Sequence, residues 1–362
     1  MNKKIKNISS SKLLLKNGKI LNILNGKSSV KDILIENGKI SQIGKIEDND
    51  SYLVVDCNKK IVTQAFIDIN THFRSPGIGD QETLLSGSNA ALSGGYSKVC
   101  IMPDTDPIID NPELIQFILN QSSELPINIH PIGAITKNLD GINIAELGSM
   151  INCGAVAISD AKNTVMNSQV ARYAIEYAKM FNVPFINHPE NINLVNEGSM
   201  NESVASNALG LSGNPSIAES IMVYRDLEIA NYVKGKIHIP SVTCSESIQL
   251  IKNYKDKNTD VTCEVSPQHL FFTDNDLESY DSNLKISPPL RSKKDIESLI
   301  KGIKSGVVDC IASNHFPVRF DDKDKDFYNA ESGIIGLETA FAAAHTILKK
   351  NNFSIESILK LF

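Results

Sequence analysis

The stretch Gln64–Gly77, QAFIDINTHFRSPG, decides how the rest of the chain is interpreted. Its apolar run Ala65–Ile69 predicts a short β-strand, which leads directly into polar residues and a Pro-Gly turn. Because side chains alternate along a strand, every second residue from Asp68 lies on one face. That face carries four polar side chains that are predicted to converge: Asp68, Asn70, His72 and Arg74. Taken alone, the segment is better explained as an ordinary strand end with solvated polar groups, so the flanking sequence decides.

Composition indicates a soluble globular chain. Its 362 residues, 41% hydrophobic and 22% charged, fit one large α/β domain with an appendage, or two ordinary domains. The net charge of −6 argues against nucleic-acid binding, although the N-terminal MNKKIKN carries local positive charge. The six cysteines form no C-x-x-C pair, which favours reduced thiols in a cytoplasmic protein. No signal-peptide pattern precedes the first predicted strand, and no apolar run reaches the ~18 residues of a membrane span.

The residues before this stretch predict a small antiparallel β subdomain over residues 1–61. Short β-prone runs between Leu13 and Val55 are separated by turn residues. Two Asn-Gly pairs, Asn17-Gly18 and Asn37-Gly38, lie between alternating apolar runs and predict two-residue hairpins.

Downstream, apolar strands alternate with amphipathic helices across residues 62–362. Eight strands are predicted: Ala65–Ile69, Lys98–Met102, Ile127–Ile135, Ala155–Ile158, Pro184–Ile186, Lys236–Ile239, Val261–Val265 and Val307–Ala312. Helices are predicted between them, for example Glu82–Leu92, Pro112–Asn120, Ser168–Met180, Ile217–Val233, Ser245–Tyr254 and Lys294–Ile303. Eight such units predict a parallel sheet closed into a (β/α)₈ barrel, with its chemistry at the strand ends. An open doubly wound sheet is the alternative, but its G-x-G-x-x-G is absent and the β-rich leader is unusual for it.

The motifs at the strand ends resemble those of the dihydroorotase branch of the cyclic amidohydrolases, in order and over nearly the whole chain. They are D-x-N-x-H-x-R-x-P-G from Asp68, MPDT from Met102, NHPE from Asn187, SPQHL from Ser266, KISPPLR from Lys285, SNHFP from Ser313 and GLET from Gly336. The resemblance implies an amidohydrolase-type barrel that cyclises N-carbamoyl-L-aspartate to dihydroorotate in pyrimidine synthesis. It also implies one or two zinc ions that activate a water molecule.

At most of the metal-ligand positions that the resemblance implies, this sequence differs. The retained ligand types are His72 and His188, and the substituted positions are Asn70, Ala161, Ser241 and Asn314. Two imidazoles do not complete a zinc shell of three protein ligands and water, unless Asp160, Asp68 or His315 is recruited. Asn314 also replaces the carboxylate that shuttles the proton in the family, and an amide has no titratable group near neutral pH. We therefore expect no catalytic residue, no intact metal site and no cofactor, with zinc only if the site is rearranged.

Substrate-binding positions have changed as well. Arg74 matches the family's clamp on the substrate carboxylate. Asp104 stands where the resemblance implies an asparagine, and its charge would repel an anionic substrate. A salt bridge from Arg74 to Asp104 or Asp68 is therefore the favoured alternative to substrate binding. His72 and His188 are expected to be hydrogen-bonded barrel histidines, and three further histidines are expected to be structural: His130, His238 and His269.

Three hypotheses follow from the resemblance. The favoured one is a noncatalytic, oligomeric dihydroorotase-like subunit that assembles with aspartate carbamoyltransferase, because MPDTDPIID, Asp160-Ala161-Lys162 and Asn196–Glu202 resemble the degenerate branch. The second is an active dihydroorotase with a rearranged metal site. The third, an enzyme of hydantoin or allantoin rings, needs the same lost ligands and is least favoured. The family's barrel is followed by strands that return to the leader and complete a composite sandwich, and these are not expected within residues 62–362.

Overall fold

The chain forms two compact units in the computed structural model, which describes residues 12–21, 28–77 and 81–362. The first unit comprises the described residues up to Ala65 together with Ser354–Lys360. The second comprises Phe66–Phe353 with Leu361–Phe362. Within the described ranges, no helix combines the length and apolarity needed to cross a membrane. All six cysteines are free thiols.

The first unit is a mixed sheet with one short helix, Ile355–Leu359. Its strands are β1 (Lys12–Leu21), β2 (Ser28–Glu36), β3 (Lys39–Gly44), β4 (Tyr52–Asp56) and β5 (Ile61–Val62). The strands β1, β2 and β3 pair antiparallel in sequence order, whereas β4 and β5 both pair parallel with β1. The expectation of a purely antiparallel subdomain is therefore wrong for β4 and β5. Leu14, Leu34 and Ile46 form the buried core of the sheet.

Only one of the two predicted Asn-Gly hairpins forms. Asn37 and Gly38 both have positive φ, 51° and 72°, and connect β2 to β3 as predicted. Asn17 and Gly18 instead lie inside β1, where they form a bulge in its pairing with β2. The bulge is held because Asn17 N–H donates to the buried Asp32 carboxylate at 2.8 Å.

The second unit is a closed parallel barrel, as predicted. Within the described residues its strands are β6 (Phe66–Thr71), β7 (Tyr96–Ile101), β8 (Asn128–Pro131), β9 (Ile158–Ser159), β10 (Phe185–Ile186), β13 (Ile237–Ile239), β14 (Val261–Val265) and β15 (Cys310–Ile311). Neighbours pair in parallel through two runs, β6-β7-β8 and β9-β10-β13-β14-β15. Parallel bridges join Gly133 to Ile158 and Thr71 to His315, which closes the ring. All eight predicted strands coincide with or overlap these, so the (β/α)₈ prediction is confirmed.

Two further short strands lie outside the ring. They are β11 (Met200–Asn201) and β12 (Gly213–Asn214), which pair in parallel. Met200, on β11, belongs to a buried hydrophobic cluster with Leu277, Ile286, Leu290 and Phe327.

Helices follow the barrel strands at nearly the predicted positions. The longer ones are Leu84–Ser93, Pro112–Ser122, Ser168–Met180, Ser216–Val233, Ser245–Asp256, Lys293–Lys304 and Ala340–Lys350. Shorter ones are Leu147–Asn152, Ile192–Val195, Val204–Leu209, Pro267–Phe271 and Phe320–Lys323. The starts are set locally: Asn111 accepts from Leu114 N–H at 3.1 Å and is followed by a proline at the first helical position. Because each helix returns the chain to the other edge, all carboxyl strand ends meet at one mouth.

Candidate functional site

The end of β6 carries the first group of predicted site residues into the barrel mouth. Asp68 is fully buried, and its two carboxylate oxygens accept from the N–H groups of Asn70 and Ser313 at 3.0 and 2.9 Å. Burial, with the nearby Glu264 charge, raises the pKa of Asp68 to about 7. Asp68 therefore ties β6 to the end of β15 and has little capacity left for a ligand.

Asn70 points to a buried carboxylate that the sequence reasoning missed. Its amide nitrogen donates to Glu264 Oε1 at 2.6 Å and to Ser241 Oγ at 3.3 Å. Glu264, on β14, also accepts from Ser241 N–H and interacts with His238 Nε2 at 3.2 Å. The detectable signal was a glutamate inside the apolar strand VTCEV, on the same face as Thr262. The side-chain amide oxygen of Asn70, Oδ1, is buried without a hydrogen-bond partner.

His72 is paired with Asp104 rather than left free. Its Nδ1 lies 2.9 and 3.0 Å from the two Asp104 oxygens. Burial lowers the pKa of His72, although the Asp104 carboxylate acts to raise it. Burial alone would raise the pKa of Asp104, but His72 and Arg74 hold it below its usual value. This arrangement leaves Nε2 of His72 as a buried nitrogen without a hydrogen-bond partner.

Arg74 does not form the salt bridge expected from the sequence. Its guanidinium donates to Gln81 Oε1 at 2.6 Å and to Glu331 Oε1 at 3.1 Å, and it stacks 5.1 Å over the Phe316 ring. Neither expected partner is free for Arg74, because the Asp104 carboxylate is held by His72 and the Asp68 carboxylate accepts hydrogen bonds from backbone N–H groups. The side chains of the four residues that were predicted to converge are therefore not bonded to one another.

Lys162, next to the substituted ligand position Ala161, occupies the mouth directly. Its ammonium donates to Asn314 Oδ1 and to the Ser287 carbonyl, both at 2.8 Å. Burial lowers the pKa of Lys162 to about 8, against the attraction of more distant carboxylates. The sequence identified the changed run Asp160-Ala161-Lys162 but predicted no role for the lysine.

His188 faces Glu190 at the end of β10. His188 Nε2 lies 3.4 Å from Glu190 Oε2, beyond good hydrogen-bond geometry, and has no hydrogen-bond partner. Glu190 Oε1 accepts from Asn214 Nδ2 at 2.6 Å. Burial acts to raise the pKa of Glu190, but His188, Asn214 and the charge of Arg291 together lower it to about 2.

The other residues considered for recruitment are engaged elsewhere. Asp160 accepts from the N–H groups of Ile135 and Thr136 at 2.8 and 2.9 Å, and burial raises its pKa to about 6. His315 Nε2 lies 3.2 Å from Glu82 Oε2, while its Nδ1 accepts from Gly336 N–H. Neither side chain is available to a ligand at the mouth.

The three histidines expected to be structural have structural partners or surroundings. His238 lies between Thr262 Oγ1 and Glu264 Oε2. His269 lies between Ser266 Oγ and the Pro288 carbonyl, and burial lowers its pKa to about 4. His130 lies on β8, and burial together with a neighbouring lysine charge lowers its pKa.

Zinc does not fit the side chains that this mouth presents. Nε2 of His72 and Nε2 of His188 are unpartnered nitrogens, but Asn70, Ala161, Ser241 and Asn314 stand where the family resemblance implies the anionic or imidazole ligands that would complete a shell. In the described part of the chain, no group of three or more His, Cys, Asp or Glu side chains is arranged to hold a metal ion. The Lys162 ammonium, bonded to Asn314, adds a positive charge where a divalent cation would have to sit.

Two cavities open beside these residues. One, of about 180 Å³, is lined by Lys162, Asn314, Phe316 and Glu331 among others. The second, of about 470 Å³, is more polar and is lined by Glu190, Ser199, Asn214 and Lys285 among others. Ile286, Ser287 and Ser332 line both, so the cavities adjoin. The arrangement can bind a small polar molecule.

Comparisons with known proteins agree with the motifs and the barrel. A model of the family described as Dihydro-orotase-like matches residues 59–247. The dihydroorotase of Ruminiclostridium cellulolyticum is 40% identical over 340 residues, which are 94% of this chain and 79% of that protein. The dihydroorotase of Caldicellulosiruptor saccharolyticus is 40% identical over 353 residues, 96% of this chain and 82% of that protein.

Among solved structures, the L-hydantoinase (dihydropyrimidinase) from Arthrobacter aurescens superposes with a TM-score of 0.85 at 21% identity, covering 96% of this chain and 80% of that one. A D-hydantoinase structure gives 0.81 at 20% identity, with coverage of 97% and 80%. At such identity the likeness concerns the fold alone, and it confirms the predicted amidohydrolase type of barrel.

Proposed function

The chain belongs to the dihydroorotase-like family, and we propose that it is a noncatalytic member that takes part in pyrimidine synthesis by assembling with aspartate carbamoyltransferase. The curated relatives named dihydroorotase support the first part of this proposal, since they match over most of the chain. The loss of the chemistry and the assembly are the steps that we add.

The observation that carries the proposal is the position of the Lys162 amine. It is hydrogen-bonded to Asn314, which stands where the family resemblance implies a carboxylate that both binds metal and carries the proton. An ammonium there replaces the charge of a metal ion without its Lewis acidity, so no bound water is activated for attack on a ring amide.

Four of the acidic groups at the mouth, Asp68, Asp104, Asp160 and Glu264, do not supply a replacement base. Asp68 and Asp160 hold backbone N–H groups, and Asp104 is paired with His72. Glu264 is buried among Asn70, Ser241 and His238. A general base needs a free lone pair within hydrogen-bond reach of the reacting water, and each of these carboxylates is already engaged.

Turnover and metal content test the noncatalytic part. The chain should be produced in a host that lacks its own dihydroorotase, purified without chelator and analysed for zinc. We expect substoichiometric zinc and no measurable interconversion of N-carbamoyl-L-aspartate and dihydroorotate, with or without added zinc. Robust turnover that disappears on substitution of His72 and His188 by alanine would refute the proposal.

Co-expression with the aspartate carbamoyltransferase of the same source tests the assembly. We expect the two chains to elute together in size-exclusion chromatography with light scattering, and the transcarbamoylase to lose activity or stability without this chain. Separate elution at micromolar concentration, together with unchanged transcarbamoylase activity, would overturn the assembly.

An active dihydroorotase with a rearranged metal site is the second candidate. It is favoured by one observation, the two imidazole nitrogens, Nε2 of His72 and Nε2 of His188, that are buried without partners. Stoichiometric zinc that is lost in the double alanine variant would support this candidate over the noncatalytic one.

A further inference from the structure

The two adjoining cavities at the mouth differ in charge from one end to the other. They share Ile286, Ser287 and Ser332 and therefore adjoin, so the charged groups of both lie within one region of the mouth. Lys162 lines the smaller cavity and Glu190 lines the larger one. Neither residue belongs to the ligand set that the family resemblance implies.

The Lys162 end favours a negative group. Its ammonium has three N–H donors, and two of them are used by neutral acceptors, the Ser287 carbonyl and Asn314 Oδ1. Among the described residues no carboxylate lies within ion-pair distance of Lys162. The one carboxylate that lines the same cavity, Glu331, is paired with Arg74 at 3.1 Å. A partly buried ammonium without a direct counter-ion is destabilising, so an anionic group that reaches its third N–H is stabilising there.

The Glu190 end favours a hydrogen-bond donor. Oε1 of Glu190 accepts from Asn214, but the best neighbour of Oε2 is His188 at 3.4 Å. Asn214, which is 98% buried and lines the cavity, has a carbonyl oxygen without a partner. The hydroxyl oxygen of Ser199 is buried in the same cavity and is likewise without a partner. A group with several N–H donors and a positive charge satisfies these acceptors together.

We propose that these cavities bind a small zwitterion of the amino-acid type, with its carboxylate on Lys162 and its ammonium on Glu190 and Asn214. A simple anion fits less well, because Asp104, Glu190 and Glu264 are close enough for their charges to act on Lys162. The inference rests on the proposed function in one respect, since it requires a mouth without zinc.

Titration with ω-amino acids of increasing length tests the inference. Glycine, β-alanine, γ-aminobutyrate and 5-aminovalerate are compared with the carboxylate and the alkylamine of matching length, by calorimetry and ligand-observed NMR on the full chain at pH 7. We expect at least one amino acid to bind ~10-fold or more tightly than both of its matched controls, as two charge-assisted contacts require. Equal or weaker binding of every amino acid overturns the inference.

Two variants separate the ends of the site. Lys162→Met should weaken the preferred amino acid and its matched carboxylate by ~10-fold or more, and leave the amine unchanged. Glu190→Gln should weaken the amino acid and the amine, and leave the carboxylate unchanged. Lys301→Met, at an exposed position of the helix Lys293–Lys304, is the control for loss of a lysine. Binding that is equal in all four proteins overturns the inference.

Folding and metal content are checked on the same preparations. If Lys162→Met does not unfold cooperatively, Glu190→Gln and the length series decide alone. Stoichiometric zinc with turnover refutes the proposed function whatever the amino acids do. A metal-free, inactive chain that shows no preference for an amino acid overturns only this inference.

Discussion

Lys162 is expected to weaken zinc binding even after the missing ligands are restored. The four changes Asn70→His, Ala161→Asp, Ser241→His and Asn314→Asp rebuild the ligand set that the resemblance implies. In the present structure Lys162 Nζ lies 2.8 Å from Asn314 Oδ1. The carboxylate introduced at residue 314 would therefore be paired with the ammonium before any metal arrives.

The size of the effect follows from two routes. A zinc ion ~2 Å from that oxygen lies within ~5 Å of Nζ, where the two charges repel by ~7 kcal/mol at an effective dielectric constant of about 20. Loss of the lysine proton is easier, because the pKa of Lys162 is already lowered to about 8. The new carboxylate would raise that pKa by ~1–3 units, so deprotonation at pH 7 weakens zinc binding by ~10²–10⁴-fold. Deprotonation of Lys162 sets the size of the loss in zinc affinity, because it costs less free energy than the repulsion between the two charges.

Competition with a chelating dye measures the zinc affinity of these variants. We expect the fourfold variant carrying Lys162→Met to bind zinc at least ~100-fold more tightly at pH 7 than the fourfold variant alone. The difference in zinc affinity between these two variants should shrink about tenfold per pH unit as the pH rises toward the pKa of Lys162. Lys285→Met is the matched control, because that lysine donates to the Tyr328 carbonyl instead of Asn314. Equal affinities and equal pH slopes with and without Lys162 would refute the reasoning.

Three further predictions concern stability. Asp160→Ala should lower the free energy of unfolding by ~3–5 kcal/mol in urea titrations, because two buried N–H groups lose their acceptor, and Asp160→Asn should cost less; equal costs would contradict this. Asp68, with a pKa raised from 3.8 to about 7, should contribute up to ~4 kcal/mol of stability that is gained as the pH falls from about 7 to 4, so the difference in unfolding free energy between the native chain and Asp68→Asn should grow over that range; a difference that is independent of pH would contradict this. Gly77→Ala should cost ~2–3 kcal/mol, because φ is +96° and the new Cβ would lie 1.6 Å from the Asp106 carbonyl oxygen; an unchanged melting temperature would exclude that contact.

The barrel was predictable because its signals are local and repeated. Each apolar run is short and is followed by an amphipathic helix, so an error in one segment does not alter the topology. The Asn17-Gly18 hairpin failed because its outcome depends on distant groups. Asp32 accepts from both Asn17 N–H and Ile46 N–H, and a Cβ on Gly18 would lie 2.6 Å from Val62. A local turn signal carries no information about such contacts.

The site was predictable only as a set of positions. The strand ends indicated which residues lie at the mouth, but not which of them bond to one another. Asp104 was paired with Arg74 in the sequence interpretation, whereas the structure pairs it with His72. No role was predicted for Glu264 or Lys162, because their partners lie far away in the sequence: Glu264 bonds to Asn70 and Ser241, and Lys162 bonds to Asn314.

The strand ends at the mouth are held together by carboxylates that accept hydrogen bonds from backbone N–H groups, and these contacts do not require a metal ion. Asp68 joins the end of β6 to Ser313, Asp160 joins the end of β9 to Ile135 and Thr136, Glu219 accepts from Thr243 and Cys244, and Glu264 accepts from Ser241. The backbone is left-handed at three positions where the family resemblance implies metal ligands, Ala161, Ser241 and Asn314. An alanine or serine in that conformation costs about 1 kcal/mol or more and gains nothing chemically. The left-handed conformation therefore belongs to the scaffold rather than to the side chains at these three positions.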